Sequence, residues 1–148
     1  MKLGFIITGH GHFASGLYNA VELIAGEQKL FEVVEFLPQD PLEDLKVALQ
    51  FKLDQLLNQE KCDEVIFFVD LMGGTPFRTA MEVAHPYDNV EVLAGISLTL
   101  VIEAVGARMT GSDIPTTIKN ALEAGHNGMI HAQIPKASAV APEPTEGI

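Results

Sequence analysis

An apolar run climbs from Leu3 to Ile7 and then breaks into Gly9-His10-Gly11-His12. A solid run of that length, stopped by glycines ahead of a helical pattern, reads as a buried parallel strand ending in a turn. Strand 1 is expected over about Lys2 to Thr8. The same rhythm recurs along the chain. Phe31 to Leu37 is a second strand, nearer an edge because it carries Glu32 and Glu35. Glu64 to Asp70 is a third, and its five apolar residues in succession suit a central strand covered on both faces. Asn89 to Ala94, closed by Gly95, is a fourth.

Helical stripes separate these runs. Leu17, Ala20, Val21 and Ile24 share one face of a helix over Phe13 to Ala25, with Gly26 as its stop. Asp40 is read as a cap, Pro41 as a first-turn residue and Glu43 as the far side of a capping box. Leu42, Leu45, Leu49, Leu53 and Leu56 then form a buried stripe to about Leu57. A third helix runs from Pro76 to about Ala84 with Thr75 as its cap. A fourth spans about Ser97 to Ala107. A fifth is capped by Ser112 or Asp113, has Pro115 in its first turn, and ends before Gly125.

Strands alternating with helices imply an α/β fold: an open, mostly parallel sheet with helices on both faces and right-handed crossovers. The expected strand order is 2-1-3-4. Gly128 to Ala132 adds a short fifth edge strand. From Pro135 the sequence turns to Ala, Pro, Ser and Glu without periodicity. Residues 1–132 are therefore read as one domain, and 133–148 as a disordered tail or linker remnant.

The net charge of −11, with only 9 Lys and Arg, argues against nucleic acid and against anionic membrane surfaces. Cys62 is the only cysteine, so no internal disulfide can form, which fits a reducing cytoplasm. The opening apolar run is too short for a secretory leader, and no stretch approaches the roughly 20 apolar residues of a membrane span. The expectation is a cytoplasmic domain.

In open α/β sheets, ligands bind at the carboxyl ends of the strands where the strand order reverses. With order 2-1-3-4, that point lies between strands 1 and 3. His10 and the loop from Asp70 to Thr75 then face each other across one crevice. One His10 ring nitrogen can attack while the other holds a proton, and Asp70 can accept that proton. Gly73 and Gly74 let backbone approach a bound group, and the N–H groups near Thr75 open a helix, a ready anion site. The Thr75 hydroxyl can donate to a phosphate oxygen. A histidine, a carboxylate and an anion cradle are what a transient phosphohistidine needs. There is no Gly-Lys-Ser/Thr for a nucleotide, no third glycine for a dinucleotide and no acidic cluster for magnesium. No cofactor or metal is expected, and the phosphoryl donor is expected to be another protein. His10 and His12 have H-x-H metal spacing, but no carboxylate or cysteine nearby in sequence completes a site. His12 is read as a helix-entry residue.

Ile6-Ile-Thr-Gly-His-Gly-His-Phe-Ala14, together with Val69-Asp-Leu-Met-Gly-Gly-Thr-Pro-Phe77, resembles the IIA component of the mannose-family phosphoenolpyruvate-dependent sugar phosphotransferase system. The resemblance covers Met1 to about Ala132, and each piece alone is weak. It implies a cytoplasmic phosphotransferase subunit, associated peripherally with a membrane transporter. His10 would take a phosphoryl group from the histidine-containing phosphocarrier protein and pass it to a IIB component that serves membrane IIC and IID components. It further implies Asp70 as the orienting carboxylate, Thr75 beside the phosphoryl group, and a homodimer in which the last strand, here 128–132, is exchanged. Two positions depart from the family pattern: Leu71 replaces a frequent hydroxyl residue, and Thr99 a frequent proline. Two rival readings remain. One is the phosphoryl-relay subunit of a phosphotransferase-dependent dihydroxyacetone kinase. The other is a non-catalytic module binding an anion or metal at His10 and His12.

Overall fold

The unbroken apolar residues from Phe5 to Ile7 need cover on both faces, and strand β1 (Leu3–His10) has it. The computed structural model describes residues 1–137. Its sheet holds β2 (Phe31–Phe36), β1, β3 (Glu64–Val69) and β4 (Val90–Ala94), all parallel and in the order β2-β1-β3-β4. Every residue of β1 is buried except the last, His10. The expected order and class therefore hold.

Alternate residues of each strand serve opposite layers. Phe5, Ile7, Phe31, Ile66 and Phe68 pack with α1 (Phe13–Ala25), α4 (Leu98–Met109) and α5 (Ile114–Asn127). Ile6, Val34, Val65, Phe67 and Val69 pack with α2 (Leu42–Asp54) and α3 (Thr75–Ala84). Arg108 ties the two strands' starts together from the end of α4. Its guanidinium donates to the carbonyls of Leu3 at 3.2 Å and Leu30 at 3.4 Å and to Gln28 Oε1 at 2.9 Å, and lies 4.4 Å from the centre of the Phe5 ring. Burial away from water lowers its pKa. Among the described residues, no helix is long and apolar enough to cross a membrane.

Several local expectations are corrected. Pro41, not Asp40, is the residue before α2, and it is extended (φ −64°, ψ 146°). Asp40 instead closes the turn ahead of it, accepting the Leu37 N–H at 2.8 Å. Leu42 opens the helix and is exposed rather than part of the stripe, whereas Leu45, Leu49 and Leu53 are buried. The helix then widens into a π-helical turn, Gln55–Gln59. Gly125 lies inside α5, not after it. A β-carbon there would come within 3.3 Å of Leu100, so the glycine lets α4 and α5 approach closely. Asp113 is the cap of α5, accepting the Thr116 N–H at 2.8 Å. Ser97 caps α4 through the Leu100 N–H, so that helix starts well without a proline at Thr99.

The fifth strand is not seen in the single chain. Gly128 is the C-cap of α5, and Met129 and Ile130 lie exposed beyond it. A strand needs a neighbour to take its N–H and C=O groups, and in one chain this segment has none. Of the expected tail, residues 138–148 lie outside the described residues.

Arg108→Ala should lower the free energy of unfolding by about 2–4 kcal/mol, since it removes a charged donor from several carbonyl-type acceptors and a cation from an aromatic face. Urea denaturation would measure this, and a loss below about 0.5 kcal/mol would contradict the role.

Candidate functional site: a histidine–carboxylate pair at the strand switch point

Strands β1 and β3 are neighbours, yet one is followed by a crossover to β2 and the other by a crossover to β4. Their carboxyl ends thus frame the crevice where the order reverses. His10 ends β1, and Asp70 is the first residue past β3. Gly9 makes their meeting possible. A β-carbon on it would lie 2.9 Å from both Cβ and Cγ of Asp70 and 2.8 Å from Phe13 Cδ1. Any side chain there would push the carboxylate away.

Asp70 Oδ2 sits 2.7 Å from His10 Nδ1 and accepts the His10 backbone N–H at 2.9 Å. Asp70 Oδ1 accepts the Leu71 N–H at 2.9 Å. Burial alone would raise the carboxyl's pKa. The His10 amide, the His10 imidazole and the Leu71 amide outweigh it and hold the pKa below the ordinary carboxylate range. An ionised Asp70 can only accept, so Nδ1 donates to it, and in the neutral imidazole the lone pair is then on Nε2. The carboxylate is nearly covered, with 9% of its side chain exposed, whereas His10 is 48% exposed. The arrangement is a fixed base with an open face.

The open nitrogen faces the start of α3. A β-carbon on Gly74 would fall 2.8 Å from His10 Cε1 and 3.4 Å from Nε2. Glycine is therefore what allows this backbone to lie against the ring. Gly74 is also the residue before the helix, which corrects the reading of Thr75 as cap. Thr75 is the first helical residue, and its carbonyl accepts the Thr79 hydroxyl at 2.8 Å. Gly73, at φ +88°, makes the turn that brings this helix start to His10. Leu71 and Met72 are exposed beside it, while Phe77 packs into the layer of α2 and α3.

Strand β2 contributes a third side that the sequence did not disclose. The Phe36 ring meets the His10 ring edge-on, centroids 6.0 Å apart. Glu35 pairs with His12 Nδ1. Both residues were legible as part of an edge strand, and their proximity to His10 follows only once β2 is paired in register with β1. Among the described residues, no group of three or more His, Cys, Asp or Glu converges as metal ligands would.

Comparison with known proteins places these features in context. Residues 4–122 match the family model described as the PTS system fructose IIA component. The PTS system mannose-specific EIIAB component of Escherichia coli is 27% identical over 97% of this chain, which spans only 44% of that relative's length. The PTS system sorbose-specific EIIA component of Lacticaseibacillus casei is 30% identical over 66% of this chain and 68% of its own. Among solved structures, the phosphotransferase system component EIIA from Streptococcus agalactiae superposes with a TM-score of 0.78 at 28% identity, covering 88% of this chain and 97% of that one.

Two outcomes follow from the geometry. Gly74→Ala should leave the fold intact but displace the imidazole, which would be seen as a changed His10 ring environment by NMR; an unchanged ring would refute the steric argument. The pairing of Asp70 also sets a pH dependence. Its folded pKa is depressed, so its stabilisation is complete above the unfolded value of about 4 and is lost as pH falls through the lower folded value. The stability gap between the native chain and Asp70→Asn should therefore narrow as pH is lowered from 6 to 3 in thermal melts. A gap that widened towards acid would reverse the assignment.

Proposed function

The chain belongs to the family described as the PTS system fructose IIA component, and from that premise we propose that it is the phosphoryl-carrier subunit of a sugar-transport system, with His10 as its acceptor. The observation that carries this reading is the contact between His10 Nδ1 and Asp70, which leaves Nε2 as the free nucleophile beside Gly74.

The donor in this reading is the phosphohistidine of the histidine-containing phosphocarrier protein. The Nε2 lone pair attacks phosphorus in line, the donor's P–N bond breaks, and the donor imidazole leaves with that electron pair. The His10 ring then bears positive charge with its proton still at Nδ1. Asp70 stabilises that charge, as a carboxylate does for imidazolium in hydrolase triads. The three phosphoryl oxygens meet backbone N–H groups at the start of α3, around Gly73, Gly74 and Thr75, with the Thr75 hydroxyl as an added donor. Transfer onward to a IIB component is the same displacement with His10 as leaving group. Little covalent chemistry is asked of the protein; positioning and charge do the rest.

The same reading makes the protein cytoplasmic, meeting a membrane transporter only through its partners. It treats residues 1–132 as the carrier domain and the remainder as a tail. It extends to a homodimer, for which the exposed Met129 and Ile130 and the unpaired side of β4 offer material.

Incubation with phosphoenolpyruvate, enzyme I and the phosphocarrier protein should add one acid-labile phosphoryl group, seen by intact mass. His10→Ala should add none. Uptake by that variant equal to the native chain's would remove His10 from the role.

A further inference from the structure

The turn that carries His10 is gripped by β2 from both sides of the sheet. Consecutive residues of a strand face opposite ways. Val34 and Phe36 face the layer of α2 and α3, and Val33 faces the other. Phe36 thus reaches the His10 ring on one side, at 6.0 Å. Glu35, directed to the other side, reaches His12 Nδ1. Between them stands Gly11, left-handed at φ +56°, whose N–H donates to the Phe36 carbonyl at 2.7 Å.

His12 occupies the N-cap of α1, yet its side chain makes no capping hydrogen bond. Its imidazole is turned to β2 instead. We propose that His12 and Glu35 form a clasp that positions the nucleophile, holding the Gly11 turn against β2 so that His10 Nε2 stays aimed at the start of α3. The proposal rests on the phosphoryl-carrier reading above and adds to it two positioning residues that never touch the phosphoryl group.

The physical need for a clasp lies in Gly11. Glycine has the widest backbone freedom, and nothing lies within 4 Å of where its β-carbon would be, so beyond its N–H bond to the Phe36 carbonyl no side-chain packing holds it. Asp70 fixes the Nδ1 end of the His10 ring and its backbone N–H, while Gly74 and Phe36 border the ring, so the aim of Nε2 depends on how the Gly11 turn seats His10 among them. A shift of the reacting atom by ~1 Å can cost up to about a hundredfold in rate. The clasp itself is exposed, with 78% of the His12 side chain and 31% of the Glu35 side chain open. Exposed pairs contribute little to stability. The clasp should therefore be visible in the rate and nearly silent in the melting temperature, the opposite of what a purely structural pair would do.

The test is single-turnover transfer from the phosphorylated carrier protein, run over a range of carrier concentrations. H12S can still cap α1 but cannot reach Glu35. H12N presents an N–H close to where Nδ1–H stands. H12S and E35A should each lower the maximal rate about tenfold, with the apparent KM changed less than about twofold and Tm within about 3 °C of the native chain. H12N should recover at least half of the native rate, and the H12S/E35A double variant should be no slower than either single one. A native maximal rate in H12S, or H12N no faster than H12S, would overturn the clasp while leaving the carrier function standing. A native chain that takes no phosphoryl group would bring down both.

Discussion

The contact between His10 Nδ1 and Asp70 Oδ2 is the interaction on which the rest of the site depends. It fixes which ring nitrogen holds the proton, and hence which one is free. It requires two residues 60 positions apart to end adjacent parallel strands in matching register, Thr8 beside Val69. The sheet order supplies that adjacency. The two crossovers leaving β1 and β3 in opposite directions clear the space above it. Both layers of helices serve this arrangement by burying the solid apolar strands that bring the pair together.

Glycine does the complementary work. Gly9 and Gly74 are defined by what a β-carbon would strike: the Asp70 carboxylate at one, the His10 ring at the other. They bracket the pair so closely that neither could carry a side chain without moving a reacting group. Gly11 is different, since it needs freedom of φ rather than space. In the proposed carrier, a nucleophile set beside a glycine turn gains its restraint from β2, whose Phe36 carbonyl accepts the Gly11 N–H and whose Glu35 pairs with His12. The site of that proposed carrier is accordingly three-sided, with β1 supplying the nucleophile, the β3 loop its partner and anion cradle, and β2 its restraint.

Much of this was legible in the sequence. Solid apolar runs end just short of His10 and Asp70, and their alternation with helical stripes implied the sheet and its switch point. What was not legible has particular causes. Asp40 with Glu43 satisfies the pattern of a capping box, but the extended Pro41 starts the helix one residue later and sends Asp40 to close a turn. Thr75 has the composition of a cap, yet the backbone that must lie against His10 can only be glycine, so Gly74 takes the position. Gly125 reads as a stop but is a packing contact with Leu100. Glu35 and Phe36 looked like edge-strand residues because alternation reveals the two faces of a strand and says nothing of what each face meets. The fifth strand is not seen in the single chain for a related reason: strand propensity does not supply a partner.

The central claim is that His10 carries the phosphoryl group on Nε2 while Asp70 keeps the proton on Nδ1. Nitrogen-15 and phosphorus-31 NMR of the phosphorylated chain, labelled in histidine, reads both atoms at once. The account predicts phosphorus coupled to Nε2 of His10 and a protonated Nδ1 on the same ring. Phosphorus on Nδ1, or on a residue other than His10, would contradict it.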